Sequence, residues 1–238
     1  MKLIKNIDKV YDELSNSYKK EYEESSPFNS DYERPAMIKL LDKHIYNKEI
    51  LDAGCAGGWY TEKFISMGAK VTAIDVSETM IKITKERTCN KADVLNLDLN
   101  NELPFKENKF DIIVSSLTLH YIKDLKKTFS EFKRILKPNG ILLFSVHHPC
   151  MDIKDFEDEN YFITKLYKEK WEKGGVVVDV QFFHRPLQEI INTTTKYFNL
   201  ECLVEPTPEE SFKEKDLDNY NYLSKNPHFL IIKAINNK

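Results

Sequence analysis

Apolar residues recur at helical spacing near the start of the chain, at Leu3, Ile4, Ile7, Val10, Tyr11, Leu14 and Tyr18. That pattern predicts an amphipathic helix, ended by Ser25-Ser26-Pro27. After a polar link from Asn29 to Pro35, Ala36 to Ile45 predicts a second helix. The pattern then changes. Glu49 to Ala53 and Lys70 to Ile74 are short apolar runs that predict strands, and between them Trp59 to Met67 predicts a helix with Phe64, Ile65 and Met67 apolar. A small-residue turn, Gly54-Cys55-Ala56-Gly57-Gly58, joins the first strand to that helix; Gly68 ends the helix and Asp75 closes the second strand. Ser77 is a good N-cap for a further helix, with Glu78 in its first turn.

The alternation continues. Ala92 to Leu97 predicts a third strand, and Phe110 to Ser115 a fourth, nearly all apolar as a central parallel strand should be. Asp124 to Leu136 predicts a helix with Leu125, Phe129, Phe132, Ile135 and Leu136 on one face. Lys137-Pro138-Asn139-Gly140 reads as a turn and Ile141 to Val146 as the fifth strand. Residues 148–185 break the rhythm with Tyr161, Phe162, Tyr167, Trp171 and the run from Val176 to Phe183; a short helix and a strand or hairpin are expected there. Pro186 to Tyr197 predicts a helix, and Leu200 to Val204 and Phe229 to Ile235 the last strands. The acidic stretch from Glu205 to Asn226 reads as an exposed loop.

Strands alternating with helices predict a doubly wound α/β fold. With 238 residues the chain is read as one domain, with residues 1–45 as a helical cap and 148–185 as an insertion at the cofactor end of the sheet. Hydrophobic content of 41% suits a globular protein, and a net charge of −3 with mixed signs gives no electrostatic footprint for nucleic acid. No apolar stretch approaches the length of a membrane span, and the N-terminus has no uninterrupted apolar core of a signal peptide. Cys55, Cys89, Cys150 and Cys202 are far apart and read as buried, reduced thiols of a cytoplasmic protein. Oligomeric state is not legible.

The unit from Glu49 to Asp75 is strand, glycine turn, helix, strand, acid. Such a turn brings backbone N–H groups at a helix start close to a ligand. An acid ending the second strand, 21 residues after Gly54, can accept both hydroxyls of a ribose. A nucleoside-bearing cofactor follows. A dinucleotide fingerprint would want glycine at 54, 56 and 59, where the chain has Gly54, Ala56 and Trp59. The other pattern, acid-x-Gly-x-Gly-x-Gly, is met by Asp52, Gly54 and Gly58, with Ala56 in place of the middle glycine. The stretch therefore resembles motif I of class I S-adenosylmethionine-dependent methyltransferases. An alanine there is expected to have negative φ. The strand, helix, K-P-x-G and strand series from Phe110 to Val146 resembles later motifs of the small-molecule members, so agreement covers residues 49–147 in order.

The resemblance implies a seven-stranded, mostly parallel sheet with its last strand inserted antiparallel, and S-adenosylmethionine as cofactor. It assigns the cofactor to Asp52, Gly54, Cys55, Ala56 and Gly58, to Asp75 and Val76 at the ribose, and to Ser115 and Ser116. Asp98 and Leu99, near Leu103-Pro104-Phe105, would meet the adenine. Met80 would give a soft contact to it or simply pack in the core. Tyr18, Tyr32 and Arg34 would reach the methionine carboxylate, Arg34 as a bidentate fork; packing of Tyr18 and surface exposure of Arg34 are the alternative. The function implied is methyl transfer to a small molecule. A cofactor-binding module without catalysis and a nicotinamide-dependent dehydrogenase are the other readings. Nucleic-acid methylases carry an N/D-P-P-Y/F sequence after the fourth strand, where this chain has Ser115-Ser116-Leu117-Thr118.

For the acceptor, Ser145-Val146-His147-His148-Pro149 leaves the fifth strand near the expected methyl position. Successive residues on an extended chain point opposite ways, so one of His147 and His148 should face the cofactor, and His148 is the expected one. His148 or His147 is the candidate base, with His120, Tyr121 and His184 as candidate substrate contacts. No carboxylate is placed to complete a metal site with these histidines.

Overall fold

In a computed structural model, which describes residues 7–15, 26–41, 44–152, 160–173 and 176–238, the apolar runs become strands of one sheet. They are β1 (Glu49–Ala53), β2 (Lys70–Asp75), β3 (Asp93–Asn96), β4 (Phe110–Ser115) and β5 (Leu136–His147). A hairpin, β6 (Lys165–Lys173) with β7 (Val176–His184), forms a separate two-stranded sheet. The chain ends through β8 (Phe198–Val204) and β9 (Phe229–Asn236). The seven-stranded order is β3-β2-β1-β4-β5-β9-β8. β1 to β5 pair in parallel; β9 is antiparallel to both β5 and β8, as the inserted last strand was expected to be.

Side chains alternate across the strands and both faces of the sheet are covered, which explains the unbroken apolar runs. Ile50, Ile112, Val114 and Leu143 face the layer built by Met37, Leu41, Tyr60 and Phe64. Leu51, Ile113, Leu142 and Phe144 face Phe129, Phe132 and Ile190 on the other side. The order reverses between β1 and β4, so the crevice of a doubly wound sheet falls outside their carboxyl ends.

The N-terminal helix spans Ile7–Glu13; Leu3, Ile4 and Tyr18 lie outside the described residues. The second helix, Arg34–Lys39, starts earlier than its apolar pattern suggested because Pro35 suits a first turn, and a π-helical turn, Asn29–Glu33, precedes it. The 205–226 segment corrects the expectation of an exposed loop. It holds the helices Glu210–Lys215 and Leu217–Leu223, and buried Phe212 and Leu223 pack with Tyr32 and Phe229. Two short helices each anchored by a single apolar side chain leave little periodicity to read. The Lys137–Gly140 turn falls inside β5, where the register with β4 shifts and Asn139 has φ +59°. The hairpin packs Tyr167, Val180 and Phe182 against Leu14 and Tyr121, which brings the insertion and the N-terminal helix to one end of the sheet. Among the described residues no helix is long and apolar enough to cross a membrane.

Gly58 enters the helix Trp59–Ser66 with φ +80°, and a Cβ added there would lie 2.7 Å from Cγ2 of Thr84. Gly58→Ala is expected to lower stability by about 1–3 kcal/mol. An unchanged midpoint in thermal melting would contradict this.

Candidate active site

A cavity of about 590 Å³ opens at the carboxyl ends of β1, β2 and β4, beneath Ile7, Asp8 and Tyr11 of the N-terminal helix. Its volume lies within the roughly 300–1,000 Å³ of small-molecule sites. The turn after β1 forms its floor. Gly54 N–H and Cys55 N–H both donate to the Ile74 carbonyl, at 2.9 and 3.0 Å, which ties the turn to β2. Ala56 has φ +45°, against the expected negative value. The left-handed conformation costs an alanine roughly 1–2 kcal/mol. Two bonds hold it: Ala56 N–H donates to Oδ2 of Asp75 at 2.9 Å, and its carbonyl accepts the Thr84 hydroxyl at 2.7 Å.

Asp75 also accepts the Ser77 N–H on Oδ1 at 2.9 Å. Burial pushes its carboxyl above the ordinary range, while these backbone donors pull it down. A carboxylate has about four acceptor sites, and the two N–H groups leave capacity for further donors. Asp75 and Val76 both line the cavity. On the neighbouring wall stand Leu97, Asp98, Leu99 and Asn100. Oδ1 of Asp98 accepts both the backbone and side-chain N–H of Asn100, each at 2.8 Å. The Leu99 N–H has no acceptor among the described residues. One acceptor oxygen beside one backbone donor matches the edge of an adenine.

Asp52, Gly58, Met80 and Ser115 do not line the cavity. Asp52 is fully buried and accepts the Thr61 hydroxyl at 2.6 Å, fastening the helix start to β1. Burial raises its carboxyl from 3.8 to about 7, with Asp75 adding repulsion. Met80 is core, and the Ser115 hydroxyl donates to the Ala53 carbonyl at 2.8 Å, joining β4 to β1. Cys55 does reach the cavity, its thiol pushed up by burial, whereas Cys89 and Cys150 are exposed, against the expectation of four buried thiols.

Glu33 is the site residue that the sequence reading missed. It is buried and lines the cavity. Its Oε1 accepts the hydroxyls of Ser116, at 2.8 Å, and Ser145, at 2.5 Å; its Oε2 accepts that of Tyr60 at 2.7 Å. Ser145 Oγ in turn accepts the N–H of Leu117 at 3.0 Å, and Leu117 has φ +46°. One carboxylate therefore joins the N-terminal segment, β4, β5 and the helix after β1. The signal was present: Glu33, Met37 and Leu41 recur every four residues, and all three are buried. Arg34 also lines the cavity, its guanidinium 4.3 Å from the centre of the Trp59 ring. Tyr32 does not; its hydroxyl accepts the His228 N–H at 3.2 Å and its ring packs with Phe212 and Phe229. Tyr18 lies outside the described residues.

The histidines sort differently from expectation. His147, not His148, faces the cavity. His148 turns the other way at the strand end, as alternation requires, and its Nε2 sits 2.8 Å from Oε1 of Glu205 while its Nδ1 accepts the Cys150 N–H at 3.1 Å. His120 also lines the cavity, stacked on His147 with ring centres 4.0 Å apart and planes 19° apart. Burial, with His147 and Arg185 nearby, holds His120 well below the ordinary imidazole range. Tyr121 lines the cavity and accepts from the Tyr11 hydroxyl at 3.3 Å. His184 does not line it; it is buried, its Nε2 2.9 Å from the Tyr161 carbonyl. Trp171 of β6, unremarked as a site residue in the sequence, completes this end of the cavity. Among the described residues no cluster of three or more His, Cys, Asp or Glu side chains is arranged to hold a metal ion.

Known proteins share this fold. Residues 51–144 match the methyltransferase domain family. Over 101 residues the chain is 41% identical to a malonyl-[acyl-carrier protein] O-methyltransferase of Buchnera aphidicola, a match spanning 42% of this chain and 40% of that relative. The chain thus matches about two fifths of the length of that relative. An uncharacterized protein of Haemophilus influenzae is 28% identical over 229 residues, 87% of each chain. The crystal structure of a protein described as an S-adenosylmethionine-dependent methyltransferase from Listeria monocytogenes superimposes with a TM-score of 0.74 at 26% identity, covering 87% of this chain and 97% of that one. Residues 51–144 thus match a methyltransferase domain, and the chain has the Rossmann-like fold of S-adenosylmethionine-dependent methyltransferases, which implies S-adenosylmethionine as the cofactor.

Two predictions follow from the buried acids. Glu33→Ala would strand the buried Tyr60 and Ser145 hydroxyls and the half-buried Ser116 hydroxyl, each unsatisfied buried group costing roughly 1–3 kcal/mol. A loss above about 2 kcal/mol is expected in denaturant unfolding; a smaller loss would mean that the network carries little. Asp52 keeps its proton in the folded state up to about pH 7, while an unfolded chain releases it near 3.8. Between those values the folded state binds more protons, so stability falls as pH rises through the window, by at most about 1.4 kcal/mol per pH unit. Asp52→Asn keeps an oxygen for Thr61 and removes this dependence. It should gain on the parent as pH rises from 5 to 8, and parallel unfolding profiles would refute the assignment.

Proposed function

We propose that this chain transfers the methyl group of S-adenosylmethionine to a small-molecule acceptor held at the His120–His147 end of the cavity. The observation that carries this reading is a single cavity bordered at one end by the Asp75, Asp98 and Leu99 acceptors and donor and at the other by stacked imidazoles. Bound S-adenosylmethionine supplies a methyl group already activated by a sulfonium charge.

The protein's part is to bind, orient and exclude water. Asp75 accepts the ribose hydroxyls, its position fixed by the Ala56 and Ser77 N–H groups. Asp98 accepts from the adenine amino group and the Leu99 N–H donates to the ring. Arg34 meets the methionine carboxylate, held flat by Trp59. Ser116 acts through Glu33 rather than by free contact, since its hydroxyl is committed there. Aligning two reactants can lower a barrier by several kcal/mol, and the buried walls keep water from competing. His147, which faces the cavity, is a group that can take a proton from an acceptor. A base is needed only where the acceptor is protonated at neutral pH.

A dehydrogenase reading has less support. At the third glycine position of the dinucleotide fingerprint stands Trp59, whose ring meets Tyr60 edge-to-face and lies under the Arg34 guanidinium. The name of the Buchnera relative suggests a carboxyl acceptor for that protein, but the match spans only 42% of this chain and 40% of that relative. The acceptor end is built by His147, Trp171 and the N-terminal helix.

Removing the Asp75 carboxylate leaves ribose hydroxyls poorly paired, at a cost of roughly 1–3 kcal/mol. Asp75→Ala should therefore weaken S-adenosylmethionine binding at least several-fold in calorimetry, and an unchanged dissociation constant in a folded variant would remove Asp75 from the ribose. For the reaction itself, turnover of labelled methyl groups against a metabolite pool should fall by about 10²-fold in His147→Ala if it is a base, with cofactor affinity within about twofold. Absence of any transfer by the parent protein would leave the cofactor-binding module as the better account.

A further inference from the structure

His120 is 3% exposed, and neither of its ring nitrogens has a hydrogen-bond partner among the described residues. A buried neutral imidazole carries one donor and one acceptor, and leaving either unmet is costly. A void of about 10 Å³ behind the ring, lined also by Phe144 and Arg185, is at the threshold of a single water and serves at most one nitrogen. The large cavity borders the same ring. The surroundings are flat and apolar: the His147 ring stacks on His120, Tyr121 has its centre 4.3 Å away, and Trp171 lies beyond His147.

Charge is managed here in a definite way. The Arg185 guanidinium, buried beside this region, is committed to the Ile122 and Lys123 carbonyls, with Nε 3.6 Å from Glu189. It offers no free cation to an anionic acceptor, yet its charge opposes an ammonium. Burial keeps His120 neutral, so it cannot supply a cation either. Of the other charged residues lining the cavity, buried Glu33 is committed to the Tyr60, Ser116 and Ser145 hydroxyls, buried Arg34 lies over the Trp59 ring, Asp8 is half-buried and Lys123 is exposed.

We infer that the methyl acceptor is an uncharged, flat molecule bearing a hydroxyl group, bound with that hydroxyl hydrogen-bonded to the His120 ring and its body against Tyr121, His147 and Trp171. This rests on the methyl-transfer reading of the cavity and narrows it. His120 sets acceptor choice, while cofactor binding belongs to the Asp75 and Asp98 end.

The test uses the full chain, labelled with ¹⁵N-histidine and saturated with S-adenosylhomocysteine, whose binding is first measured by calorimetry. Phenol, anisole and benzoate serve as probes. Phenol should shift the His120 ring nitrogen resonances, and should bind at least about fivefold tighter than anisole, which lacks the donor, or benzoate, which is charged. His120→Phe keeps a ring in the stack and should bring phenol down to the anisole level, with S-adenosylhomocysteine affinity within about twofold. Equal affinity for phenol and anisole, or tightest binding of benzoate, would overturn the inference. The three-probe comparison on the parent protein needs no variant, so a His120→Phe chain that fails to fold does not shield it. If the parent protein failed to bind S-adenosylhomocysteine, the cofactor reading would fall and this inference with it; normal cofactor binding without phenol selectivity would sink the inference alone.

Discussion

The carboxylate of Asp75 is what the cofactor end of this fold depends on. It sits at the last residue of β2 and accepts the Ala56 N–H from the turn after β1 and the Ser77 N–H from the next helix start. Without the first of these bonds, the left-handed Ala56 has lost one of its two anchors. The turn after β1 is thus held by the same side chain that we propose meets the ribose. The helix that follows carries Thr84, whose hydroxyl reaches the Ala56 carbonyl. The turn, the end of β2 and the start of the next helix are therefore tied together within one short stretch of sequence.

The rest of the cavity is held by Glu33 in an analogous way. Its three hydroxyl donors lie 27, 83 and 112 residues away, on the helix after β1, beyond β4 and on β5. Ser145 passes the restraint on to the strained Leu117, from which the chain runs to His120 and Tyr121. The acceptor end is therefore placed by long-range contacts and completed by an insertion, β6 and β7, packed on the N-terminal helix. This division fits an enzyme whose cofactor is constant and whose acceptor is selected elsewhere in the chain.

Legibility in the sequence follows the same division. The strands β1, β2, β4 and β5 announced themselves through apolar runs buried on both faces, and the Gly54–Asp75 unit through local spacing. The sign of φ at Ala56 was misjudged because the compensating bonds come from Asp75 and Thr84, 19 and 28 residues on. Glu33 went unnoticed because a buried carboxylate is recognised by its partners, all distant in sequence. Between His147 and His148, alternation correctly allowed only one to face the cavity, but the choice turned on Glu205, in a segment read as a plain loop that in fact folds around Phe212 and Leu223. Composition and periodicity carry no information about such tertiary pairings.

The central claim is that the crevice outside β1 and β4 is an S-adenosylmethionine site. Calorimetric titration of the full chain with S-adenosylmethionine, and separately with NAD, tests it most directly. The account predicts saturable binding of S-adenosylmethionine at one site per chain and no measurable heat from NAD. Binding of NAD in its place, or of neither, would contradict it.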